Sequence, residues 1–142
     1  MQHRDPLAVL VEAAPRFSDE EAVAIAREYY GLEVAAKSLV SERDQNFRLR
    51  TAAGVQYVLK IANAAEAPEV TDFQIRALLH IAGRKRQDHL PVGVPEIVRT
   101  VDGETSIRLQ SACLYPAAWA GILDHFEPVP GMPPRYRSAL NP

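Results

Sequence analysis

A chain of 142 residues is near the usual length of one domain, long enough for a core and short for a substrate-binding enzyme built of two lobes. Sixteen Lys plus Arg against eighteen Asp plus Glu leave no extended basic field for nucleic acid or an anionic membrane, so small molecules or proteins are the expected partners. The lone cysteine, Cys113, excludes an intrachain disulfide and a cysteine-based zinc cage, and it fits a reducing compartment, with the cytoplasm as the expected location.

The leading stretch MQHRDPLAVLVEAAPRF holds one short apolar run, broken by Glu12, which is too short for a signal-peptide core or a membrane span. A soluble chain with an N-terminal extension over 1–16 is expected. The next segment, PRFSDEEAVAIAREYYGLE, predicts a helix. Ser18 is placed to cap it, Glu21 completes a capping box, and Gly31 supplies a left-handed stop. Ala22, Ile25, Ala26, Tyr29 and Tyr30 give it one apolar stripe.

From Leu32 the period shifts toward alternation, predicting strands over about 33–39, 46–50 and 55–61. The last two are joined by Thr51-Ala52-Ala53-Gly54, the mark of a hairpin. A symmetric register about that turn puts Gln45, Phe47, Val58 and Lys60 on one face and Tyr57, Leu59 and Ile61 on the other, whereas a one-residue bulge reverses the assignment.

Pro68 and Glu69 open a second predicted helix, EVTDFQIRALLHIAGRKR. Its stripe is Val70, Gln74, Ala77, Leu78 and Ile81, with Phe73 beside it, and the basic residues Arg84, Lys85 and Arg86 suit its C-terminal end. EIVRTVDGETSIRL then predicts a second hairpin, with Asp102-Gly103 as its two-residue turn. The expected fold class is α+β: an antiparallel sheet of about five strands with flanking helices on one side. Six of the eleven prolines fall from Pro116 onward, so 113–142 reads as a divergent, mobile tail. Within it AAWAGILDHF spaces Trp119, Ile122, Leu123 and Phe126 as a short amphipathic helix would.

Lys60, set among Val58, Leu59 and Ile61, reads two ways. It snorkels from an edge strand with its ammonium in water, or it stands on a central strand and presents a point charge to a phosphate. The polar run Ser41-Glu42-Arg43-Asp44-Gln45-Asn46 is a solvated turn or an anion nest, and without glycine it is neither a Walker loop nor a Rossmann fingerprint. Gln74 is a boundary glutamine or a partner for a buried donor such as Lys60. His3, His80, His89 and His125 lack metal-ligand spacing, and no nucleophile-elbow sequence supports a Ser-His-Asp triad.

Taken together, SERDQNF, then YVLKIANAAE, then DFQ opening a helix and LPVGVPEIV leading to a strand resemble the aminoglycoside phosphotransferase and choline kinase superfamily. More narrowly they resemble the hydroxylysine-kinase-like phosphotransferase domain often fused to class III aminotransferases. The likeness runs over about 17–109, and the kinase-like lobe is expected over 17–112. The resemblance implies a protein-kinase-like N-terminal lobe in which Lys60 holds ATP phosphates, Val58 lines the adenine pocket, and the loop with Ser41, Asp44, Gln45 and Asn46 covers the phosphates. It also puts Gln74 where the family carries a glutamate paired to the lysine, and a neutral amide positions an ammonium without neutralising it.

The family's catalytic aspartate, its neighbouring asparagine and its metal-binding aspartate belong to a helical lobe that follows the fifth strand. No residue of this chain matches them, so no catalytic residue or magnesium ligand is carried over. The expectation is an ATP-dependent phosphotransferase of truncated form, inactive alone, whose intact relatives act on amino alcohols or hydroxylated amino acids. The alternative is a non-catalytic interaction module using the surface left bare by the missing lobe.

Overall fold

The computed structural model describes residues 16–89, 95–109 and 118–124. The first helix, α1 (Asp19–Tyr30), starts as its sequence dictates. The Ser18 hydroxyl accepts from the Glu21 amide at 3.1 Å, and the Glu21 carboxylate accepts from the Ser18 amide at 2.7 Å. Gly31 ends it at φ 63°, where its own amide and that of Leu32 donate to the carbonyls of Arg27 and Ala26. Beyond lie strands β1 (Ala35–Leu39), β2 (Gln45–Arg50) and β3 (Gln56–Ile61), helix α2 (Pro68–Asp88), and strands β4 (Ile97–Val98), β5 (Ile107–Leu109) and β6 (Ala118–Asp124). The α+β class holds, with six strands in one antiparallel sheet ordered β1-β2-β3-β6-β4, and β5 also paired to β6.

The β2–β3 register differs from the symmetric one by a single residue. Asn46 faces Lys60 and Phe47 faces Leu59. The cause is the loop. Thr51 donates its amide to the Val55 carbonyl at 2.9 Å, Gly54 donates to the Thr51 carbonyl at 3.0 Å, and Gly54 sits at φ 87° as the extra, bulged residue. That residue turns Phe47 onto the same face as Leu59 and Ile61, and leaves Asn46, Arg48, Val58 and Lys60 together on the other.

The second turn repeats the chemistry. Thr100 donates to Glu104 and accepts from Gly103, each at 2.9 Å, with Gly103 at φ 84°. In both loops the threonine hydroxyl also accepts from the residue four on, Val55 at 3.1 Å and Glu104 at 3.0 Å. Here the expected two-residue hairpin is corrected. β4 and β5 do not pair with each other but lie one after the other along β6. The segment between them leaves the sheet, and the Val101 amide bonds the Tyr29 carbonyl of α1 at 2.9 Å.

The largest correction is β6. The stretch read as a short helix inside a proline-rich tail is an interior strand, antiparallel to β3 on one side and to β4 and β5 on the other. A strand covered on both faces is a continuous apolar run, which periodicity alone does not separate from a helix. The sheet therefore reaches Asp124, past the expected lobe boundary. The remainder of the expected tail and nearly all of the N-terminal extension lie outside the described residues.

One face of the sheet carries the core. Phe47, Leu49, Leu59, Ile61 and Ile122 are fully buried and pack with Ala22, Ile25, Ala26 and Tyr30 of α1. The second helix does not share that side. Pro68 stands at its first turn, and Asp72–Arg76 and Arg84–Asp88 pairs at 2.9 and 2.8 Å brace it. Among its described residues only Ala82 is buried, and α2 faces the Lys60 side of the sheet across a cavity. Among the described residues no helix is long and apolar enough to cross a membrane.

The Tyr30 hydroxyl is buried in the core beside the Ile122 backbone, without a well-formed hydrogen bond among the described residues. Burial raises its pKa above the ordinary value of 10.0. The folded chain therefore holds this proton when the unfolded chain has lost it, and stability falls as pH rises above about 10. Tyr30→Phe removes the orphaned hydroxyl, so it is expected to be neutral or stabilising by up to about 1 kcal/mol near neutral pH. It should also flatten part of the alkaline loss, read from urea melts at pH 7 and pH 10.5.

Candidate functional site

The site is built where β3 ends and the chain turns toward α2. Alternation along β3 aims Lys60 away from the core, onto the face that also carries Val58, Asn46, Arg48 and Lys37. Its side chain is 36% exposed, and its Nζ lies 3.0 Å from Oδ2 of Asp44. The other oxygen of Asp44, Oδ1, accepts from the backbone amide of Asn63 at 3.0 Å. One carboxylate thus ties the loop ahead of β2 both to Lys60 and to the backbone just past β3.

Asn63 locks this junction from within. It is 2% exposed, donates its side-chain amide to the Arg43 carbonyl at 3.2 Å, and accepts from the Ala65 amide at 2.9 Å. A buried amide with its polar atoms satisfied holds loop and strand in one relative position. Asn63 lies within the YVLKIANAAE stretch, and the sequence assigns it no role. The available signal was a polar residue directly after the apolar Ile61-Ala62.

The expected site residues are divided by the fold. Ser41, Asp44, Asn46, Val58 and Lys60 gather on one side: Asn46 faces Lys60 across the β2–β3 ladder and donates to the Ser41 hydroxyl at 3.3 Å. Gln45 points the other way. Its side-chain amide exchanges two bonds with the Phe17 backbone, at 2.7 and 2.8 Å, anchoring the approach to α1. Gln74 lines the cavity from α2 and is itself exposed, and the ion partner of Lys60 is Asp44.

That cavity holds about 360 Å³ between α2 and the strands. Lys60, Thr71 and Gln74 contribute polar groups to its lining, while Leu78, Ile97 and Leu123 supply apolar wall. An apolar pocket with a few convergent polar groups and a cation at its rim suits a flat organic ligand carrying an anionic group. Lys37, Arg48 and Arg50, on the same sheet face by register, add positive charge along the open side. Among the described residues no three His, Cys, Asp or Glu side chains come together where they could hold a metal ion.

No protein-family model matches the chain, and no curated protein matches it. Among solved structures it is similar to an amicoumacin kinase, hAmiN, in complex with AMP-PNP, Ca2+ and Ami, with a TM-score of 0.58 at 12% sequence identity. The match covers 81% of this chain and 32% of the kinase chain. The chain therefore has a kinase-like fold and spans about a third of that neighbour's length.

Proposed function

We propose that this chain is the nucleotide-binding portion of an ATP-dependent small-molecule phosphotransferase of the aminoglycoside phosphotransferase type. The observation that carries the reading is Lys60. It is held on β3, the middle strand of the sheet, its ammonium fixed by Asp44 where it lines an apolar cavity, within a kinase-like fold. Lys60 takes phosphate oxygens as a point charge, the loop with Ser41, Asp44 and Asn46 lies over the phosphates, and Val58, on the Lys60 face but outside the cavity lining, is the residue the resemblance sets against the base.

Phosphoryl transfer depends on positioning and on cation charge at the γ-phosphate, supplied in the resembled family by a second, helical lobe. The chain alone is accordingly read as binding nucleotide without turnover. Amino alcohols or hydroxylated amino acids are the acceptors that the resemblance suggests for an intact enzyme.

A thermal-shift titration with Mg-ATP tests the reading. Saturating nucleotide is expected to raise the melting temperature of the wild type by several degrees, since a ligand at a hundredfold its Kd stabilises by about 2.7 kcal/mol. Lys60→Ala loses charge-assisted bonds worth about 1.5–3 kcal/mol, so binding should weaken about 10- to 100-fold and the stabilisation at the same nucleotide concentration should fall to about 0.4–1.4 kcal/mol, at most about half the wild-type shift. Equal shifts in both proteins would remove Lys60 from the site.

A second reading, a protein-interaction module, is favoured by one observation. Val70, Phe73 and Ile81 of α2 are 41%, 71% and 43% exposed, an apolar stripe turned to solvent. Sedimentation as a monomer at high concentration with no partner engaged would count against it.

A further inference from the structure

We infer that Asp44 makes the Lys60 site selective for a polyphosphate that carries a divalent cation over the same polyphosphate without one. This rests on the proposed reading of Lys60 as a phosphate ligand. The Asp44 carboxylate is not a mobile counter-ion that swings aside when a phosphate arrives. Its Oδ1 is fixed by the Asn63 backbone amide at 3.0 Å, and the loop behind it is pinned by the buried Asn63 side chain to the Arg43 carbonyl at 3.2 Å. Its Oδ2 stands 3.0 Å from the Lys60 ammonium. A phosphate oxygen at bonding distance from Lys60 therefore comes within about 6 Å of a fixed negative charge.

At that range like charges repel strongly enough to matter, and the two side chains are only 36% and 20% exposed, so solvent screens the repulsion in part. The penalty scales with the ligand's net charge. A triphosphate stripped of its cation bears the full penalty, whereas its cation complex bears much less. The strand residues sharing this face, Lys37, Arg48 and Arg50, are all cationic and by themselves would favour the most negative ligand. Of the other acidic groups nearby, Glu42 and Glu69 are exposed to solvent, Asp72 is paired with Arg76 at 2.9 Å, and Glu66, ahead of α2, lies 3.5 Å from the Thr71 hydroxyl. Asp44 is the carboxylate placed to oppose free polyphosphate.

Asp44→Asn tests this cleanly, because the amide oxygen still accepts from Asn63 while the charge is gone. Calorimetric titrations of ATP with Mg2+ and of ATP with excess chelator, at equal ionic strength, give four affinities. Wild type is expected to prefer the magnesium complex by about tenfold or more. In Asp44→Asn cation-free ATP should bind about tenfold tighter than it does to wild type, bringing the two ligands within about threefold of one another. Equal weakening of both ligands would mean that Asp44 only orders Lys60, and an unchanged ratio would mean that it does not discriminate; either overturns the inference while leaving the nucleotide reading standing. Binding of neither ligand by either protein would remove the Lys60 reading and this inference with it. If Asp44→Asn does not fold, Asp44→Ser, whose hydroxyl can also accept from Asn63, carries the same expectation.

Discussion

Ile122→Asp is expected to leave a chain with no cooperative unfolding transition. Ile122 is 0% exposed, pairs with Leu59 across the β3–β6 ladder, and belongs to the cluster with Phe47, Leu49 and Tyr30. A carboxylate placed there has no cation on that face to pair with among the clustered residues. It must ionise at a cost of several kcal/mol or stay protonated with its polar atoms unsatisfied. A domain of this size holds about 5–15 kcal/mol in all, and the same change also removes a buried aliphatic side chain worth about 2–5 kcal/mol. The two losses together consume the stability.

The neighbouring change separates strand from helix. Leu123 lies on the opposite face of β6, toward the cavity, and Leu123→Asp should give a folded chain of reduced stability. A short amphipathic helix in a tail would tolerate both substitutions. Urea denaturation followed by circular dichroism reads the difference, and a normal transition for Ile122→Asp would contradict the placement of β6.

Phe47→Ala and Phe73→Ala are expected to differ by several kcal/mol although the deletion is the same. Phe47 is 0% exposed at the centre of the sheet, and its loss leaves a large void among Leu49, Leu59 and Ile122, costing about 3–5 kcal/mol. Phe73 is 71% exposed on α2, and its loss should cost less than about 0.5 kcal/mol. Matched denaturant midpoints and slopes provide the measurement. A comparable loss for Phe73→Ala would mean that α2 is packed far more tightly than its exposure indicates.

These contrasts follow the line between what local chemistry specifies and what packing specifies. The ends of α1 were legible because capping is local: Ser18, Glu21 and Gly31 meet their partners within a few residues. Both Thr-containing turns were legible as turns for the same reason, since each glycine sits at positive φ. Their consequences were not. Gly54 adds one residue to the hairpin, and because side chains alternate with period two, that one residue decided whether Lys60 shared a face with Phe47 or with Asn46.

The candidate site divides in the same way. The residues of the loop before β2 and Lys60 of β3 could be named from the chain, but their grouping could not. Gln45 turned to the core side to hold the Phe17 backbone, and Asp44 rather than Gln74 became the partner of Lys60. Asn63 has no distinctive sequence signal, because a single asparagine after a strand is a common turn residue, and only its burial shows that it joins two segments.

The sequence by itself determined the α+β class, the ends of α1, the positions of the turns, and the kind of residue available to meet an anion, because each depends on bonds closed within a few residues. Only packing made 118–124 an interior strand between β3 and the β4/β5 edge, set α1 and α2 on opposite sides of the sheet, and brought Asp44 to Lys60. Those outcomes depend on contacts between distant segments, where the burial of a whole apolar face outweighs the weak local preference of any short run.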